Sequence, residues 1–151
     1  MDIRLFSFDE LDIVQISCLP PNELFLDFSK KSKYLQGSVF SLFQHSFELA
    51  SSDYDYYSLN SFTASQAVAL RNHLMTNQSR LAAIKSAEDI EKIALKQLSG
   101  IDFMNSLKEQ VQEWRVSWEK IRSNLLKVGE ELIEMTDGCI DEDLILWIKG
   151  F

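Results

Sequence analysis

Three observations on the sequence predict an all-α fold, a single-domain helical bundle built on one long spine helix at about residues 102–135. Met104, Leu107, Val111, Trp114, Trp118, Ile121, Leu125, Val128, Leu132 and Met135 keep an unbroken three-four spacing, the signature of a helix with one apolar seam. Chain breakers are scarce, with two prolines and five glycines in 151 residues. Thr63 with Gln66, and Ser86 with Asp89, sit where helix N-termini are capped. This length suits one domain, 1–151, and buries enough surface to fold without a metal or a disulfide framework. Residues 1–36 either belong to the bundle or form an N-terminal extension docked loosely on it.

The elements follow in order. Ser7 and Glu10 form a capping-box pattern for a first helix from about Phe8 to Ser17, stopped by Pro20 and Pro21. Pro21 suits the first turn of a second helix with Leu24, Phe25 and Phe28 on its apolar face. Lys30, Lys31 and Lys33 interrupt that pattern and face water. Phe40, Phe43 and Phe47 form the stripe of a helix from about Val39 to Ala50. Ser51 to Asn60 is a polar, aromatic connector with a short extended piece through Tyr56 to Leu59. The Thr63-capped helix carries Ala67, Leu70 and Leu74 as far as Asn77. The next helix starts at Ser79 or at Ser86, the latter paired with Asp89 as a cap, and runs to about Leu98 with Ile90, Ile93, Ala94 and Leu98 on its apolar face; Ser99-Gly100 is the break before the spine. Gly138 is placed to end the spine in a left-handed cap. Asp141 then caps a last short helix with Leu144, Ile145, Trp147 and Ile148.

The seam favours an intramolecular bundle over a two-stranded coil. Trp114 and Trp118 are too bulky for a dimeric seam, and Leu126 and Ile133 widen the stripe toward its end. A homodimer through the seam is the other arrangement its spacing allows.

Charge and composition bound the function. A net charge of −8 argues against nucleic acid as the ligand, since a phosphate backbone selects a basic stripe, and it suits a basic protein partner. Cys18 and Cys139 have no CxxC neighbour, and a reducing compartment is the simpler reading. The N-terminus lacks the basic-then-apolar pattern of a signal peptide, and no apolar run is long enough for a bilayer. The expected location is cytoplasmic, with no membrane association.

No catalytic motif emerges, and no cofactor is expected. The glycines are scattered, and neither a GxSxG elbow nor an HExxH pair occurs. His45 and His73 are separated by a helix and a connector, so their spacing promotes no Ser-His-Asp or Cys-His site. The acidic run from Asp137 to Asp143 fails the calcium-loop template: Glu142 stands where glycine is needed, and Ile148 where glutamate is needed.

Two surfaces remain as candidate partner-binding sites. Tyr54, Asp55, Tyr56 and Tyr57 combine rigid aromatic area with acids on a connector, a composition typical of interface hot spots. Glu130, Glu131, Glu134, Asp137, Asp141, Glu142 and Asp143 crowd the end of the spine, where acids oppose the helix dipole. The Tyr56-Tyr57 connector running into a capped helix, and the closing stretch from Cys139 through Trp147 to Gly150, resemble bacterial immunity proteins, the inhibitors of interbacterial toxins. That resemblance implies a non-enzymatic, acidic binder that occludes the active site of a basic toxin domain, for example a nuclease. The alternatives are a homo-oligomeric helical assembly protein, or an exported effector with an unrecognised site.

Overall fold

A computed structural model describes Met1, Ile3, Leu5 and residues 12–151. The fold is mixed α/β, not an all-α helical bundle. Among the described residues, six helices accompany a four-stranded antiparallel sheet.

The sheet corrects the reading of both ends of the chain. Ile13–Leu19 is a strand, β1, and not the end of a helix; the Ser7–Glu10 capping pattern lies outside the described residues. Its sequence alternates Val14, Ile16 and Cys18 with Gln15 and Ser17, the period of a strand. The apolar set faces the main core. The polar set is also buried, because residues 20–32 fold over it as a loop and not as the expected second helix. Gln15 Nε2 donates to Leu26 O and Ser32 Oγ, both at 2.8 Å, and Gln15 Oε1 accepts from the Phe28 amide at 2.8 Å. Ser17 and Ser32 share a 2.6 Å hydroxyl contact. A helix would strand those buried amide and hydroxyl groups, and the loop satisfies them.

Lys33–Gln36 forms β2, which pairs with β1. The predicted helix over Val39–Ala50 is two pieces, α1 (Gly37–Phe40) and α2 (Gln44–Ala50), with Phe40, Phe43 and Phe47 all buried. The extended piece of the connector falls slightly later than expected, as β3 (Asn60–Phe62). The Thr63 helix, α3 (Ala64–Ala82), starts where predicted, with the Thr63 amide donating to Gln66 Oε1 at 3.0 Å, and runs past Asn77. Of the two expected starts the chain uses Ser86: α4 (Ala87–Leu95) is capped by Ser86 Oγ accepting from the Asp89 amide at 3.3 Å, and it ends before Leu98, which is 90% exposed and not on the buried face expected for it.

The spine is broken. α5 (Gly100–Gln110) and α6 (Trp118–Asp141) replace the single helix expected over 102–135. An unbroken helix of that length would span about 50 Å, against about 40 Å for a whole domain of this size. Val111 turns extended and Glu113 takes a positive φ of 55°. Trp114 drops into the core, 5% exposed. Glu91 secures the break by pairing with Lys108 at 2.9 Å and Arg115 at 3.2 Å, while Arg115 stacks 4.7 Å over the Trp114 ring. Seven of the ten seam residues are buried, and Val111, Trp118 and Met135 are half-buried. The stripe is therefore spent inside one molecule, leaving no continuous seam for a coiled-coil dimer.

Helix α6 passes Gly138 without stopping and ends at Asp141. The residues expected to form a last helix are a strand, β4 (Ile145–Gly150), with Leu146 and Ile148 turned into the core. The sheet order is β2-β1-β4-β3, so β4 joins the two halves, pairing Ile16 with Ile148 on one side and Asn60 with Ile148 on the other. The α3/α6 pair forms the main helical layer, and Gln78 Nε2 reaches Leu126 O across it at 2.8 Å. Cys18 of β1 and Cys139 of α6 form a disulfide, their Cα atoms 6.1 Å apart. The sequence spacing gives no reason to pair them; the packing of α6 on the sheet does.

Candidate functional site

A cleft of about 900 Å³ lies between α1, α2 and α5. Gly37, Ser38 and Ser41 form its floor, where β2 turns into α1. One wall is α2, presenting Gln44, His45 and Glu48. The other is the polar face of α5, where Asp102, Asn105, Ser106 and Glu109 follow helical spacing while Phe103, Met104 and Leu107 fill the core behind them. The turn Lys96 to Ser99 closes one side, and Ser99 Oγ donates to Ser41 O at 2.9 Å, tying wall to floor. Asp12, Tyr56, Tyr57 and Phe151 complete the lining.

Tyr56 is seated by two glycines. A β-carbon on Gly150 would stand 2.8 Å from the Tyr56 carbonyl oxygen and 2.9 Å from its ring. A β-carbon on Gly37 would meet the Asp12 carboxylate and stand 2.8 Å from the Tyr56 hydroxyl. The ring also stacks near Phe40 and meets Tyr57 edge-on at 5.1 Å. Burial, then the nearby Asp12, Tyr57 and Asp102, pushes the Tyr56 phenol up to about 12, so it remains a hydrogen-bond donor at neutral pH. Partial burial first, and Asp102 second, raises the Asp12 carboxyl above its ordinary value. Asp12 also holds a positive φ of 62°, a conformation that aspartate tolerates better than most residues.

The connector residues divide. Tyr54 packs between Phe47 and Phe62 as part of the core wall, and burial pushes its phenol well above the usual range. Asp55 serves the loop itself: it accepts from Ser58 Oγ at 2.7 Å and the Tyr57 amide at 3.1 Å, which together hold its carboxyl below the ordinary value. Asn60 ties the same loop down, accepting from the Asp55 amide at 2.9 Å and donating to Asp55 O at 2.7 Å. Tyr56 and Tyr57 reach the cleft, and Tyr57 stands 86% exposed at its edge.

The second predicted surface lies elsewhere. Glu130, Glu134, Asp141, Glu142 and Asp143 are exposed, while Glu131 and Asp137 are half-buried. Asp137 pairs with Arg71 of α3 at 3.3 Å. Asp143 precedes β4, whereas Tyr56 covers Gly150 at its far end, about 17 Å away along a strand of six residues. The two acidic-aromatic regions therefore do not merge into one face.

What the tyrosines do meet is a set of acids that sequence reading passed over: Asp12, Glu48, Asp102 and Glu109. The i, i+7 spacing of Asp102 and Glu109 was the available signal, since it marks one polar face. The two histidines also come together, lining a small cavity of about 80 Å³ beside the cleft with Arg80 and Gln97. His45 Nδ1 contacts Glu48 Oε2 at 3.2 Å. Ser38 Oγ has no hydrogen-bond partner, so the nucleophile–base link that a Ser-His-Glu site requires is not made.

Comparison with protein-family models, with curated proteins and with solved structures finds no match to this chain.

Proposed function

We propose that this chain is a small acidic binding protein that takes a basic segment of a partner protein into the cleft, acting in the manner of an immunity protein that occludes a toxin's active site. The observation that carries this reading is the convergence of four carboxylates and two tyrosines around one concavity, with Leu98 90% exposed on its lining. Carboxylates in a concave wall reinforce one another's field and draw in a cationic partner. Exposed Leu98 and Tyr57 supply the apolar anchors that interfaces need. A nuclease domain is a fitting partner, because a surface that binds phosphates is basic.

The test is co-expression with the product of the neighbouring gene in the source genome. Growth rescue, together with co-purification that Tyr57→Ala plus Leu98→Ala abolishes, is the expected result. A chain that neither protects nor co-purifies refutes it. No helix among the described residues is long and apolar enough to cross a membrane. The cytoplasmic location belongs to this proposal, and the Cys18–Cys139 bond weighs against it, since such bonds persist in oxidising compartments. Gel mobility with and without reductant, on protein taken directly from its own cells, decides the point.

A further inference from the structure

One end of the cleft is more sharply built than the rest. The Asp12 carboxylate and the Tyr56 hydroxyl converge over Gly37. Asp102 faces them from α5, close enough that its charge acts on both. Ser38 lines the same floor, is 5% exposed, and its Oγ has no hydrogen-bond partner. A buried hydroxyl without a partner is uncommon and calls for one. Among the described residues, Asp12 and Asp102 form no salt bridge.

We infer that Asp12, Asp102, Tyr56 and Ser38 form a socket for one arginine side chain of the partner. This rests on the cleft being the binding surface. A guanidinium fits this set better than an ammonium. It presents five donors in a plane, enough for two carboxylates and a hydroxyl, and its flat face can stack on an aromatic ring. It fits better than a metal ion, because no group of three or more His, Cys, Asp or Glu among the described residues is placed to hold one. Both glycines that seat Tyr56 keep the socket open, since a side chain at either position would displace the ring. The unoccupied socket costs the free protein some stability by holding two carboxylates together, and the bound cation relieves that cost.

The probe is N-acetyl-arginine methylamide, titrated into the 15N-labelled protein, with the citrulline analogue as its neutral isostere. The expected result is saturable shifts of the Gly37, Ser38 and Asp102 amides with arginine and none with citrulline. Asp102→Asn and Asp12→Asn should each weaken the binding at least tenfold while leaving the rest of the spectrum folded. Absence of saturable shifts overturns the socket. Equal binding of N-acetyl-lysine methylamide, or the same shifts from magnesium or calcium ions, overturns its guanidinium character. The two proposals fail separately. A silent arginine probe, with partner binding still lost in Tyr57→Ala plus Leu98→Ala, removes the socket and keeps the cleft. A responsive probe with those anchors dispensable does the reverse.

Discussion

The molecule carries two acidic regions, and they differ in shape more than in charge. The end of α6 spreads its carboxylates around a convex helix, where five are exposed, Glu131 and Asp137 are half-buried, and Asp137 is paired with Arg71. The cleft gathers Asp12, Glu48, Asp102 and Glu109, each exposed, around one open concavity. Charges on a convex surface are screened within about a Debye length, roughly 8–10 Å in physiological salt. Charges around a concavity share field lines, and at Asp12 partial burial first and the Asp102 charge second raise the carboxyl pKa. The regions also differ in attachment. The α6 end is held to β1 by the Cys18–Cys139 bond, whereas the cleft is held by turns and by Tyr56 against two glycines. The denser acidic sequence is thus cross-linked to the sheet, and the sparser one lines the concavity.

Four experiments break or sharpen this contrast. The largest effect belongs to the scaffold. Cys18→Ala removes a cross-link closing 121 residues and should lower unfolding free energy by about 2–4 kcal/mol in denaturant titration; partner binding at low denaturant should be unchanged. Gly37→Ala comes next, since its methyl group would collide with Asp12 and Tyr56. A loss of about 1–3 kcal/mol is expected, together with a change in tyrosine near-ultraviolet circular dichroism that Gly138→Ala, with open space around it, would not produce.

Charge reversal tests the contrast directly. Asp102→Lys should weaken binding of the basic partner tenfold or more, about 1.4 kcal/mol, with the loss greatest at low salt. The triple change of Glu130, Glu131 and Glu134 to Lys should alter it about twofold or less. The opposite ranking would move the binding surface to α6. The smallest effect is a gain. The raised Asp12 pKa means that the folded state holds this proton to higher pH than the unfolded chain does, so stability falls as pH rises through that interval and stays lowered above it. Asp12→Asn removes the cost. Its melting temperature should exceed the parent's at pH 7 by an amount worth a few tenths of a kcal/mol, and the difference should vanish below the ordinary carboxyl range. Asp102 and Tyr56 are the groups that face Asp12, and both remain in the variant.

The helical core was legible because its signals are local. Thr63 and Ser86 cap α3 and α4 as their sequences indicate, and Phe40, Phe43 and Phe47 point inward together. The strands were not legible for reasons that differ between them. In β4 the apolar residues at 144, 145, 147 and 148 satisfy a helical face, yet Leu146 and Ile148 satisfy a strand face equally well, and a run this short fits both periods. In β1 the alternation was present from Val14 to Cys18, but Gln15 and Ser17 read as exposed, whereas a distant loop buries and satisfies them. Of the cleft's lining only Tyr56 and Tyr57 belong to the predicted surfaces. Asp12, Asp102 and Ser38 are unremarkable in their own neighbourhoods and become a group only when α5 folds beside α1.

By itself, the sequence determined the buried faces of the α3 and α6 segments, where the Thr63 helix starts, and that the chain is strongly acidic, because periodicity, capping and charge act over a few residues. Only the tertiary structure decided that the seam breaks at Val111 to Ser117, that both ends of the chain pair as strands, that Cys18 meets Cys139, and which acids stand together. Those outcomes depend on domain width and on partners distant in the chain.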